Sequence, residues 1–303
     1  MATINFDILI DSSLYDLTQD SSIGKNNNLL SEINNFESGE WRYSRFHEYI
    51  MNNIFLTTLS YEERQKIPND SFTCFKKACQ NLRILESDDN GKGSEIAEIL
   101  LYAIMKDHFN ALPAIPKIFY KENVNDYAKG ADGVHIVLDE NDFSLWYGEA
   151  KFYKNFSTTE FDTITNSVLN SLNPKKVRKE NELLTNLNDL RNILKDNPQK
   201  EKILNFLSDD TSLDDIKKKL HIPIMILYEC PITARTIEMS DEYKRSIIED
   251  QINKSKKYFL KQNEICSKVF KYESVTFHLI LFPVPNKTKI ADKIWKTAKE
   301  FRG

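Results

Sequence analysis

Residues 130–151, GADGVHIVLDENDFSLWYGEAK, place an aspartate and a Glu-x-Lys on what read as two neighbouring strands. Asp132 precedes the apolar run Val134–Leu138, a polar turn follows at Asp139-Glu140-Asn141-Asp142, and a second run extends from Phe143 to Phe152, which together spell a β-hairpin. Side chains alternate faces along a strand, so Glu149 and Lys151 point the same way. Asp132 has the parity of Val134, Ile136 and Leu138, so one face turns from apolar to charged at the end where Asp132 and Glu149 meet.

Two adjacent carboxylates are hard oxygen ligands suited to Mg²⁺ or Mn²⁺, ions that keep part of their water shell and need few protein ligands. The backbone carbonyl of Ala150, between Glu149 and Lys151, is a natural further ligand. An ion held there would acidify water and shield a phosphate, and a lysine beside it would orient the nucleophile or stabilise the charge of the transition state. Taken alone, an E-x-K is common by chance and equally reads as a solvated ion pair on a surface hairpin. Upstream, Ser94 reads as the N-cap of a helix carrying Ile96, Ile99, Leu100 and Ala103 at helical spacing. Glu95 and Glu98 lie about one turn apart on it and either can add a carboxylate; acidic residues also favour a first turn for dipole reasons alone. Downstream, Ser157-Thr158-Thr159-Glu160 is a capping box, followed by the buried stripe Phe161, Ile164, Val168 and Leu172.

The order Glu95, Asp132, Glu149-Ala150-Lys151 resembles the PD-(D/E)xK nuclease superfamily, and the longer string GADGVH…LWYGEAKFYK is similar to the HamA family, effector subunits of Hachiman anti-phage defence. The resemblance runs over residues 94–285 and takes in the strands His221–Cys230 and Ser274–Pro285. Ala131 stands where the superfamily's name has proline, at a position that is not a ligand. The resemblance implies a restriction-endonuclease-like fold and Mg²⁺-dependent DNA cleavage. Asp132, Glu149, the Ala150 carbonyl and Glu95 would surround the ion, with Lys151 at the nucleophile. It also implies a heteromeric complex with a superfamily two (HamB-like) helicase; the chain has no Walker-type motif, so an ATP-driven step would belong to that partner. The alternative is a non-catalytic nuclease-fold subunit that docks or regulates within a DNA-processing complex, against which the intact Asp132, Glu149 and Lys151 weigh.

At 303 residues and 41% hydrophobic, the chain can bury a full core in one or two domains. No run approaches the ~18 to 20 apolar residues of a membrane span, and Met1–Asp11 lacks the order of a signal peptide, so a cytoplasmic protein is expected. The four cysteines lack C-x-x-C spacing and read as reduced core thiols. His135 has the parity opposite to Asp132 and is expected to pack. A net charge of −4 argues against an independent DNA binder. The charge is uneven, because residues 251–303 carry 12 Lys+Arg against 4 Asp+Glu. The tail lysines 287, 289, 293, 296 and 299, and a second cluster at Lys175, Lys176, Arg178 and Lys179, either track a nucleic-acid backbone or form solvated helix faces.

Residues 1–90 are expected to form a mainly helical region, the candidate docking surface for a partner. It holds a short strand Ile4–Ile10, a polar loop Thr18–Asn28, and helices over Trp41–Leu82 whose aromatics anchor a core. The polar run 86–93 is the expected boundary. Residues 91–303 would be the nuclease domain, with a helical insertion at 173–220, strands Ile222–Leu227 and Val275–Phe282 around helix Asp241–Leu260, and a basic C-terminal helix at 286–303. Short apolar strands alternating with helices argue an α/β fold, a mixed β-sheet flanked by helices.

Overall fold

A computed structural model of the chain describes residues 8–10, 15–16, 25–83, 94–122, 130–186, 188–208 and 210–302. The expected boundary at 86–93, residues 4–7 of the expected first strand and residues 18–24 of the polar loop lie outside these. The chain opens with strands β1 (Ile8–Ile10), β2 (Tyr15–Asp16), β3 (Asn27–Asn34) and the ribbon β4 (Phe36–Glu37) and β5 (Glu40–Trp41). Helices α1 (Tyr43–Asn53), α2 (Phe55–Thr58), α3 (Tyr61–Arg64) and α4 (Ile67–Gln80) follow. Then come α5 (Ser94–Asp107), β6 (Leu112–Ile115), α6 (Lys117–Glu122), the hairpin β7 (Gly133–Leu138) and β8 (Phe143–Tyr153), and α7 (Thr158–Ser171). The insertion supplies α8 (Pro174–Asn186), α9 (Asn188–Ile193), α10 (Lys200–Phe206) and α11 (Leu213–Lys219). The chain continues through β9 (Leu220–Glu229), α12 (Pro231–Arg235), α13 (Asp241–Cys266), β10 (Thr276–Val284) and α14 (Lys287–Arg302).

The main sheet has the order β1-β3-β10-β9-β8-β7-β6, with β2 also on β3. Its four central strands β3, β10, β9 and β8 are parallel, and the outer strands are antiparallel to their neighbours. The result is a mixed α/β sheet flanked by helices, consistent with a nuclease-like α/β fold. Burial explains the central strands' composition: β9 and β10 are buried over nearly their whole length, so they read as apolar runs without alternation. The strands expected at Ile222–Leu227 and Val275–Phe282 and the helix expected at Asp241–Leu260 are present, with α13 reaching Cys266.

One face carries α5, which is buried from Glu95 to Met105. It lies close to the hairpin because Gly148 has no side chain: a Cβ there would stand 2.7 Å from Leu101 Cδ2 and 3.2 Å from Pro223 Cγ. The Tyr102 hydroxyl of α5 donates to the Ile115 carbonyl and accepts the Val134 N–H at 3.3 Å, pinning β6 and β7 under the helix. His135 packs as expected, fully buried with its ring 4.2 Å from that of Tyr102. Ser94, the expected cap, is the first described residue of the helix. The opposite face carries α7 and α13; α7 begins at the expected capping box on Ser157 and Glu160.

Strand β3 was not expected. Asn27–Asn34 pairs in parallel with β10, Asn27 beside Phe277 and Ser31 beside Leu281. Strands on both sides of the expected boundary therefore share one sheet and one contiguous hydrophobic core. Trp41 and Phe46 belong to that core, Phe46 against Phe282 of β10 with ring centroids 5.5 Å apart. The basic C-terminal helix closes over the same region. Arg302 donates to the carbonyls of Gln80 and Leu82, and Lys289 sits 3.8 Å from the ring centre of Tyr43. All four cysteines are buried free thiols. Among the described residues no helix is long and apolar enough to cross a membrane.

Within β3, Glu32 is fully buried and neither carboxylate oxygen has a hydrogen-bond partner among the described residues. Burial first, then the nearby Asp107 charge, pushes its pKa up from 4.5 to about 8. The native state thus holds the proton more tightly than the unfolded chain. The associated stability is full below the unfolded value of 4.5 and is lost as pH rises through about 8. Glu32→Gln, which cannot ionise, is expected to match the wild type near pH ~4 and exceed it by on the order of a few kcal/mol near pH ~9. Urea denaturation across that range checks it; parallel profiles for the two proteins would remove Glu32 as the cause.

Candidate active site

The hairpin register pairs Gly133 with Gly148, and the Asp132 N–H continues the ladder one step further by donating to the Gly148 carbonyl at 2.8 Å. At that point β7 has run out. The N–H of Ala150 is taken up instead by the Asp132 side chain, Oδ2 accepting at 3.1 Å. The same oxygen accepts from Lys151 Nζ at 3.0 Å, and Lys151 also reaches Glu149 Oε1 at 2.5 Å and the Ala150 carbonyl at 3.1 Å. The parity argument is thereby realised: Asp132, Glu149 and Lys151 stand together at the open end of the hairpin, with the Ala150 carbonyl beside them.

Electrostatics follow from crowding. Burial raises the Glu149 pKa, the Asp132 charge raises it further, and Lys151 and a hydrogen bond from Ser167 of α7 oppose the shift. For Lys151 burial works against the ammonium, but Asp132 and Glu149 outweigh it and hold the group protonated above its ordinary range. Two carboxylates and a carbonyl form an all-oxygen donor set, which fits a hard divalent cation that keeps several waters. Among the described residues no three His, Cys, Asp or Glu side chains converge on one point, so such an ion would take the rest of its shell from water or substrate.

Glu95 and Glu98 are both buried in α5. Glu95 Oε2 accepts the backbone N–H of Arg83 at 2.9 Å, tying the end of the N-terminal region to the start of the helix. Beside Lys151 a cleft of about 660 Å³ opens, lined among others by Ser94, Tyr153, Lys154, Glu160 and Lys287. Lys287 is the first residue of α14 and is largely buried, with its ammonium donating to the Phe152 carbonyl at 2.8 Å. Of the tail lysines it is the one that lines this cleft; sequence periodicity carries no signal that separates it from the others. Ser167 was likewise invisible, since its role depends on how α7 is laid across β8.

These contacts rank two substitutions. Lys151→Met leaves two neighbouring carboxylates without their shared ammonium, whereas Glu149→Gln leaves the Asp132–Lys151 pair in place. The first is expected to cost on the order of 1–3 kcal/mol at neutral pH and the second less. Denaturant melts of the two variants test this, and the reverse order would contradict the balance described.

A family model described as HamA matches residues 8–298. A search among curated proteins finds no match to the chain. The matched span takes in the sheet from β1 to β10, the hairpin with Asp132, Glu149 and Lys151, and all but the last residues of α14. The chain belongs to the HamA family, a component of Hachiman anti-phage defence.

Proposed function

We propose that this chain is the metal-dependent DNA nuclease effector of the defence system, hydrolysing phosphodiester bonds at the open end of the β7–β8 hairpin. The observation that carries the reading is Lys151, whose ammonium lies within hydrogen-bond reach of both Asp132 and Glu149 at the mouth of a cleft that Lys154 and Lys287 also line. Asp132, Glu149 and the Ala150 carbonyl would hold Mg²⁺ or Mn²⁺. Glu95 does not complete a three-carboxylate cluster with Asp132 and Glu149, so its proposed place is beyond the ion's water shell and not among its direct ligands. A bound divalent cation supplies Lewis acidity toward the phosphate and acidifies water. Lys151 places a fixed positive charge where charge develops on the phosphate, and Lys154 and Lys287 receive neighbouring phosphates.

The net charge of −4 makes unaided capture of DNA weak at physiological salt. A superfamily two helicase that already holds the strand would raise its effective concentration at the cleft without new contacts in this chain. A cytoplasmic setting accords with this role. Partner docking through residues 1–90 remains part of the proposal, and its test is surface substitution, because deleting those residues would remove β3 from the sheet.

Glu149→Ala and Lys151→Ala are each expected to lower Mg²⁺-dependent cleavage, measured with the helicase present, by about 10²-fold or more. Ca²⁺ should permit DNA binding without turnover. Full cutting by both variants would take this site out of the reaction, cutting in excess chelator would remove the metal mechanism, and no cutting by the wild type would leave the non-catalytic docking role as the better reading. Lys287→Met should weaken binding of a short oligonucleotide in Ca²⁺ and reduce the salt slope by about one unit, while Lys293→Met should leave both unchanged. Equal salt slopes for all three proteins would take Lys287 out of the substrate cleft's function.

A further inference from the structure

The loop that delivers Asp132 is held from outside the hairpin. Glu180, on α8 of the helical insertion, is buried, and its Oε1 accepts the N–H of Ala131 at 2.8 Å. Its other oxygen takes the ammonium of Lys117 at 2.7 Å, in an ion pair whose side chains are 1% and 4% exposed. Gly130 makes the approach possible: a Cβ there would stand 1.7 Å from Glu180 Oε1. The next residue of α8, Asn181, accepts a hydrogen bond from the Tyr147 hydroxyl of β8. Val177, Leu183 and Leu184 fix the helix in the core. Two consecutive residues of one helix therefore hold strand β8 and the loop that leads into β7, the latter at the residue immediately before Asp132.

We propose that Glu180 is a positioning residue for Asp132, so that the helical insertion sets where the first carboxylate of the site stands. The Ala131 N–H belongs to the Gly130–Ala131 peptide, one plane before the peptide that joins the Asp132 Cα, so holding it anchors the chain immediately ahead of Asp132. The Asp132 carboxylate has to meet Lys151 and the Ala150 N–H within a few tenths of an ångström, a tolerance that a loop tied only by its own strand does not hold. The buried Lys117 side chain in turn pairs with Glu180 and keeps it pointed at the loop. The consequence for metal binding rests on the reading of Asp132 as a ligand; the restraint on the loop does not.

The test compares two double variants in which the buried ion pair is neutralised in both. Lys117→Met with Glu180→Gln keeps a carbonyl oxygen for the Ala131 N–H, and Lys117→Met with Glu180→Leu removes it. Both replace buried charges by neutral groups of similar size, a change that folded proteins commonly tolerate. Amide hydrogen exchange at residues 130–133 is expected to be faster in the Leu variant than in the Gln variant. Its Mn²⁺ affinity by calorimetry should be about tenfold weaker or more. Gly130→Ala, which forces Glu180 away without altering it, should reproduce the faster exchange and keeps the test valid if the Leu variant does not fold. Indistinguishable exchange in the Gln and Leu variants, or in Gly130→Ala and the wild type when the Leu variant is lost, overturns the proposal. Wild-type protein that binds no Mn²⁺ overturns the nuclease reading instead, with the exchange result still deciding the role of Glu180.

Discussion

Everything around the hairpin's open end answers one constraint: two carboxylates stand side by side where water reaches them poorly. Glu149 is 6% exposed, and burial together with the Asp132 charge raises its pKa. Charges so placed persist only when hydrogen bonds and an opposite charge replace lost hydration. Most of that replacement comes from β8 itself. The strand carries Glu149, offers the Ala150 N–H to Asp132, and returns Lys151 to both acids two residues on. A single strand thus supplies most of a site whose two carboxylates would repel one another if Lys151 were taken away.

Such a site needs a stiff backing, and α5 provides it. The helix is apolar on nearly every side because the sheet lies on one flank and the N-terminal helices on the other. Gly148 lets Leu101 close onto the strand, and Ala150 keeps the same face small. The residues flanking Glu149 are therefore small on the helix side so that the charged side chains can be fixed on the other. Spacing that looks chemical and spacing that looks like packing are here the same alternation viewed from opposite faces of β8.

The hairpin, its turn and the capping box of α7 were legible because each is written locally, in an alternation of period two or a four-residue cap. Asp132, Glu149 and Lys151 were legible for the same reason, since parity and a short turn are enough to bring them together. Strand β3 was not. NNLLSEIN is buried on both faces, so it lacks alternation, and its partner β10 lies 250 residues away in sequence. Glu180 was equally silent, one acid after the basic run Lys175–Lys179, because only tertiary contact shows that it turns inward to Ala131. The tail's lysines divided in a way that composition could not express: Lys287 turns to the cleft, while Lys289 and Lys293 meet Tyr43 and Ser44 of α1.

The pairing of β3 with β10 also sets a timetable for the molecule. Asn28 meets His278 across 250 residues of chain, so the central sheet closes only after the last strand has been made. Closing so long a loop costs entropy that is repaid only when the final contacts form, and topologies of this kind fold slowly relative to those built from local contacts. Until β10 emerges from the ribosome, β9 lacks one of its two neighbours and the hairpin bearing the carboxylates belongs to an unfinished sheet. The central architecture of a chain of this topology therefore waits on β10, and a translation product arrested before it would carry the acidic hairpin without the framework that holds it in place.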